Sequence, residues 1–399
     1  MRSDRPGLML KLRWSLPWLT RYPMWRLREV VRRITEKTGP KHFIFVVANH
    51  FEPGWNERAL TLDWKTVASR VENWCKRARS LGNAFRDCDG KSFRYTYFYP
   101  IEQYHSGFLD TLAELQMDDF GDVEIHLHHG VEKPDNEENL RKTLQDLRDV
   151  LAEEHRLLSR RYNDTSPMYA FVHGNLALAN SAGGRFCGVD SEMKILAETG
   201  CYADFTLPSW PDESQVGHIN AIYQCGRPLN ERSPHSCGKT LRIGEKPILP
   251  VLFTGPLVFD WRRRICGLPI PRVDGGVLAS NYMPNVERFD RWCGADIGVK
   301  GRPEWVFIKL YCHAFFPSDQ ETLLGEPIRR FLGELLEMAE LNDQCSIRFA
   351  TAREAFNMVM AAVEGHGGDP GLYREYWLRS IMHSGVEEKF RDEVAVAAS

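Results

Sequence analysis

The chain has 399 residues, with 51 Lys/Arg against 54 Asp/Glu and a formal net charge of −3; 43% of it is hydrophobic and 26% charged. This is ordinary globular composition, enough for one large domain or two of common size. It excludes a strong overall positive field for gripping nucleic acid, and no run of about 18 apolar residues marks a membrane span.

Ten cysteines are dispersed and none forms a CxxC pair. A zinc ribbon is therefore not expected, and the pattern suits a reducing compartment better than a disulfide scaffold. Residues 1–40 form a basic segment in which Trp14, Trp18, Trp25, Leu27, Val30, Val31 and Ile34 alternate with Lys and Arg. Arg26 to Lys37 reads as a basic amphipathic helix, suited to an anionic membrane surface or to docking on the main domain. Arg and Pro interrupt the apolar stretch, so a secretory signal is not expected.

From residue 41, strands alternate with helices. Phe43 to Val47 reads as a buried strand, and Asp63 to Leu81 as an amphipathic helix. Arg94 to Tyr99 is a strand, Ile101 to Met117 a helix, and Val123 to Leu127 a strand. Asn139 to Tyr162 reads as a long helix, Met168 to Val172 as a strand, Ser191 to Glu198 as a helix and Tyr202 to Thr206 as a strand. Residues 210–300 are rich in Gly, Pro and Asn, with short strands around Ile248–Phe253, and read as an insertion or rim. Trp305 to Leu310 and Ser346 to Ala350 complete the strands. Thr351 and Glu354 form a capping box opening a helix to Val363. Residues 364–399 read as a peripheral tail. The alternation predicts parallel strands covered by helices, with any active site at their C-terminal ends.

Those ends carry the chemistry. Glu124-Ile125-His126-Leu127-His128-His129-Gly130 puts two imidazoles, His126 and His128, on one face of a strand. Asn49-His50-Phe51-Glu52 ends the first strand, with His50 and Glu52 on one face and Asn49 on the other. Phe171-Val172-His173-Gly174-Asn175 ends another, Asp204-Phe205-Thr206-Leu207-Pro208-Ser209 a fourth, and Tyr311-Cys312-His313 a late one. Four strands ending in histidine point to a polar site, and clustered neutral imidazoles point to a divalent metal.

These strand ends resemble the NodB-homology polysaccharide deacetylases of the glycoside hydrolase/deacetylase barrel superfamily. Glu124-Ile125-His126-Leu127-His128 resembles the family's Glu-Ile-x-x-His motif. Leu310-Tyr311-Cys312-His313 fits its Leu-x-x-His, and Thr206-Leu207-Pro208-Ser209 its Arg-x-Pro segment without the arginine. His50-Phe51-Glu52-Pro53, Gly200 to Thr206 and Thr351 to Glu354 extend a similarity to an uncharacterised deacetylase-like branch found with surface-polysaccharide genes. The resemblance covers about residues 41–363. It implies an irregular (β/α) barrel of about seven parallel strands, with the insertion in its second half and the basic helix outside it.

The resemblance also implies metal-dependent removal of N-acetyl groups from an acetamido sugar of a polysaccharide or its lipid- or nucleotide-linked precursor. Zinc would be held by His50, His126 and His128, with Glu132 and His129 as further candidates. Glu52 or Asp204 would be the base and His313 the acid, while Asn49, His173, Asn175, Thr206 and Ser209 would hold the sugar. One departure is marked: Asn49-His50 stands where the family has an Asp-Asp pair, and Asn49 cannot ionise. The alternatives are a glycoside hydrolase using Glu52 and Asp204, or a non-catalytic glycan-binding or assembly factor. A cytoplasmic location, at the inner face of a membrane, follows from the cysteines and the basic helix.

Overall fold

The computed structural model describes residues 7–35, 39–55, 60 and 63–383. Ten strands form the main sheet: β1 Lys41–His50, β2 Tyr95–Pro100, β3 Gly121–Leu127, β4 Tyr169–His173, β5 Cys201–Asp204, β6 Ile222–Cys225, β7 Gly238–Thr240, β8 Val251–Phe253, β9 Trp305–His313 and β10 Cys345–Phe349. The helices are α1 Leu8–Leu19, α2 Tyr22–Thr35, α3 Trp64–Ala84, α4 Ser106–Met117, α5 Glu137–Glu153, α6 Glu192–Glu198, α7 Val286–Cys293, α8 Pro317–Leu324, α9 Glu326–Glu340 and α10 Ala352–Val363.

The order across the sheet is β9-β1-β2-β3-β4-β5-β8-β6-β7, with β10 also on β1. All of these pair in parallel except β6, which runs antiparallel to both of its neighbours, β8 and β7. Eight parallel strands thus replace the expected seven or so. Among the described residues no strand pairing joins the two ends of the ladder. Where β9 faces the segment after β5, the Lys309 ammonium instead donates to the Leu207 carbonyl at 3.0 Å.

Alternation along the strands splits the core in two. Ile44, Val46 and Ala48 of β1 pack with Phe98, Val172, Phe307 and the wholly buried α10. Phe45 and Val47 face the other way, with Tyr95, Tyr97, Val123 and Ile125, under α3, α4, α5 and α9. The capping box at Thr351 and Glu354 is formed as expected.

Several boundaries differ from the sequence reading. The helix expected over Ile101–Met117 is a 3₁₀ turn, Ile101–Gln103, followed by α4. The helix expected over Asn139–Tyr162 stops at Glu153, because Arg156 and Leu158 take positive φ values of 57° and 65°. Val251–Phe253, read as rim, is a fully buried strand between β5 and β6. Residues 364–383 are not peripheral either. Leu378–Ser380 pairs with Ser159–Arg161, and the buried Arg374 guanidinium reaches Asp87 at 2.8 Å and Glu354 at 3.2 Å. Residues 384–399 lie outside the described part. At the other end, Trp18 is buried against Tyr22 and Phe259. The amphipathic helix is α2; Lys37 lies outside the described residues.

Candidate metal centre and active site

The parallel ladder explains why these histidines meet. Cross-strand partners share a face, and β1 pairs with β9 so that His50 lies opposite His313. The rings of His50 and His313 are 4.7 Å apart, and those of His50 and His126 are 4.9 Å apart. His126 and His128 follow at 4.7 Å. One ligand atom each from His50, Glu52 and His126 fall within 4.8 Å of one another, and all three residues are buried.

His126 is fully buried, and its Nδ1 lies 3.1 Å from the Val172 carbonyl. A carbonyl only accepts, so Nδ1 carries the proton and Nε2 keeps its lone pair. That Nε2 has no hydrogen-bond partner; the nearest carboxylate oxygen, on Glu52, is 3.6 Å away. An imidazole fixed through one nitrogen, with the other free and buried, is the arrangement of a metal ligand with its supporting partner. Two imidazoles and a carboxylate also match a zinc-type catalytic donor set. The residues present therefore fit a divalent ion.

His128 is differently placed. Its Nδ1 is hydrogen-bonded to Glu102 and its Nε2 lies 3.2 Å from Glu52. Burial opposes its charge, yet the Glu102 and Glu52 carboxylates push its pKa up to about 10. Both ring nitrogens are thus engaged by carboxylates, and the ring lies outside the group of converging atoms that contains His126. Burial would raise the Glu52 carboxyl, but the neighbouring His126 and His128 imidazoles hold it well below the usual range. Burial, then the charges of His313 and His126, hold His50 well below its usual value. His313 is lowered by burial too, and it stacks on Phe316 with ring centroids 4.6 Å apart. His128, Glu102 and His313 are only partly covered, so the cluster reaches solvent on that side.

The remaining expected residues divide. Asp204 is buried, and burial pushes its pKa up to about 7. Its carboxylate accepts from the Thr206 N–H at 3.1 Å and the Thr206 hydroxyl at 2.8 Å. Thr206 also accepts the His173 N–H at 2.9 Å, so its hydroxyl is already committed. Ser209 is buried, with its N–H on Gln215. Asn175 is half-buried.

Three expectations are corrected. Asn49 is fully buried and pairs in register with Tyr97 and Cys312, on the face opposite His50, where a sugar cannot reach it. His173 is fully buried and pairs with Leu127 rather than His126, so it too takes the opposite face. Its ring packs 4.9 Å from that of His129, not against a sugar site. Glu132 is exposed and joins no cluster of converging ligand atoms among the described residues.

Two residues near the site escaped the sequence reading. Glu102 sits on the 3₁₀ turn after β2 and carries no local signal. Lys309 is buried, and burial brings its pKa down to about 7. A lysine between Ile308 and Leu310 in an otherwise apolar strand was the available clue.

No family model matches the chain, and no curated protein matches it. A search of solved structures returned a crystal structure described as a "putative polysaccharide deacetylase" from Mycobacterium smegmatis. It is 15% identical, with a TM-score of 0.42, covering 82% of this chain and 93% of that one.

Proposed function

We propose that this chain is a metal-dependent hydrolase that removes N-acetyl groups from an acetamido sugar of a glycan or glycan precursor. The observation that carries the metal part is the convergence of His50, Glu52 and His126, with the His126 Nε2 buried and unpartnered. The substrate class rests on the motif resemblance at Glu124 to His128 and Leu310 to His313.

In this reading His50, His126 and Glu52 hold the ion. When bound, it would supply Lewis-acid polarisation of the acetamide carbonyl and acidify a water. Glu52 moves from the expected base to a ligand, because its carboxylate lies among the converging atoms. His128, tied to both Glu102 and Glu52, orients that carboxylate. His313, with its ring 4.7 Å from that of His50 and stacked on Phe316, would give a proton to the leaving amine. Asp204 remains a second candidate for the base.

The test is elemental analysis and acetate release from N-acetylated glycans, for the parent chain and a His50→Ala/His126→Ala variant. Bound zinc, nickel or cobalt and acetate release are expected, with the acetate release and about one equivalent of metal lost in the variant. Acetate release that persists in the variant would overturn the assignment. Reducing sugar released without acetate would favour the glycoside hydrolase, and bound metal without any product the glycan-binding protein.

A lipid-linked substrate is the part of the proposal supported by α1 and α2. Leu8, Leu12 and Leu16 form a stripe at 74%, 50% and 55% exposure, and Leu27, Val31 and Ile34 a second at 57%, 49% and 78%. Lys11, Arg13, Arg26 and Arg28 border them. Apolar stripes beside basic residues suit the surface of an anionic bilayer. No described helix is long and apolar enough to cross a membrane.

A further inference from the structure

Behind the first cluster lies a second, on the opposite face of the same strand ends. His129 follows β3, His173 ends β4, Cys187 lies in the loop before α6, and Glu192 opens α6. One ligand atom from each lies within 4.8 Å of the others, and all four residues are buried. We propose that these four residues form a tetrahedral site for a divalent ion of the zinc class. This site is independent of the one proposed for catalysis.

The spacings bracket those of a ligand shell, so small shifts of the side chains would complete it. Ligand bonds of about 2.0 Å to N and O and about 2.3 Å to S place tetrahedral neighbours roughly 3.3–3.6 Å apart. Here His129 Nε2 lies 2.9 Å and His173 Nε2 3.8 Å from Glu192 Oε1, and Cys187 Sγ is 3.5 Å from Glu192 Oε2. The His173 Nε2 is fully buried, aimed into the cluster and without a hydrogen-bond partner. On the far side of His129, Nδ1 lies 3.0 Å from Asp135, the carboxylate support that commonly orients a ligating imidazole.

Charge agrees as well. A divalent ion with one thiolate and one carboxylate is neutral overall, which suits a buried place. Binding releases the protons of the Cys187 thiol and of His129 Nε2. The His173 proton passes to Nδ1, which gives up the long 3.3 Å bond from the Asn175 N–H and requires that N–H to turn aside. Two glycines bring the ligands together. Gly130 (φ 63°) would place a Cβ 2.2 Å from the Cys187 carbonyl, and Gly188 (φ 90°) one 2.6 Å from Pro134. The site thus clamps the loop before α6 onto the turn after β3, directly behind His128.

The test uses cobalt(II), because a thiolate ligand gives it a near-ultraviolet charge-transfer band that the His50, Glu52 and His126 set, lacking sulfur, cannot produce. Cys88, Cys237 and Cys266 are exposed, so the parent is the full chain with these three changed to Ser. The band should appear in the parent, survive His50→Ala/His126→Ala and vanish in Cys187→Ala, with about one equivalent of metal lost. Failure of the catalytic reading leaves this pattern unchanged. Glu192→Gln keeps the sulfur and serves if Cys187→Ala does not fold; it should weaken cobalt binding about tenfold or more. No band in the parent, a band that survives Cys187→Ala, or unchanged cobalt affinity in Glu192→Gln would overturn the site and leave a hydrogen-bonded core.

Discussion

Gly174→Ala tests the geometry around His128 without presupposing any activity. A Cβ at Gly174 would lie 2.4 Å from His128 Cγ and Cδ2 and 2.6 Å from Nε2. Ordinary carbon contacts are about 3.5–4.0 Å, so about 1 Å must be found. The backbone cannot easily supply it, because the Gly174 N–H is held on the Leu127 carbonyl at 2.8 Å. Its φ lies outside the left-handed region, so alanine adds no backbone strain of its own. The ring must therefore move, loosening its bonds to Glu102 and Glu52. Overpacking of this kind costs about 1–3 kcal/mol, and a hydrogen bond to a charged group is worth about 1.5–3 kcal/mol. We expect Gly174→Ala to cost about 2–3 kcal/mol in denaturant unfolding, yet under 1 kcal/mol when His128 is already alanine, with a coupling of at least about 1 kcal/mol between the sites. Costs that simply add would show that the two residues do not meet as described. If the proposed hydrolysis holds, the same 1 Å displacement should lower turnover on the order of 100-fold.

Other outcomes follow from the charge networks and the surface. Burial opposes ionisation of Glu354, but Arg94 and Arg374 hold its pKa at about 2 against an ordinary 4.5. A lowered pKa gives stability that is complete above pH 4.5 and is lost as pH falls towards 2. The loss is about 3 kcal/mol by linkage, and Glu354→Gln should remove most of that acid dependence in pH-stepped unfolding. Asp274→Asn should cost about 3–5 kcal/mol in the same assay, because it strands the fully buried Arg288, now bound at 2.8 and 2.9 Å. Trp18→Ala should raise hydrogen exchange in α1 while leaving exchange in β1 to β3 unchanged, since Trp18 packs only in a small satellite cluster with Ile219 and Leu257. Leu8→Asp/Leu12→Asp should abolish sedimentation with anionic vesicles; equal sedimentation of parent and variant would remove the membrane contact from the proposal.

What the sequence disclosed and what it hid have separate physical causes. Alternation is local, so the shared face of His50 with Glu52 and of His126 with His128 could be read from spacing alone. The four histidine-ended strands were legible for the same reason, because each strand is an apolar run with a polar terminus. Partnering across strands is not local. Nothing near residue 173 says that it pairs with Leu127 instead of His126, and that one-step difference sends its ring to the other face. The second cluster was hidden similarly, since Cys187 and Glu192 lie far along the chain from His129. Val251–Phe253 was legible as a short strand but not as part of the main sheet, because three residues between prolines and a glycine carry no sign of which strands they pair with. The early end of α5 turns on left-handed backbone at Arg156 and Leu158, residues with no special preference for it.

β1 and β9 are matched residue for residue, from His42 opposite Trp305 to His50 opposite His313. The ladder behaves like a reading frame. The pair presented at its end, imidazole beside imidazole, is one phase of it; the other phase is the amide of Asn49 beside the thiol of Cys312. A residue gained or lost beyond His50 or His313 leaves the frame intact, and those loops are free to vary in length. A residue gained or lost within either strand shifts the frame and exchanges one chemistry for another in a single step. Change in this centre is therefore graded in its loops and all-or-none in its strands.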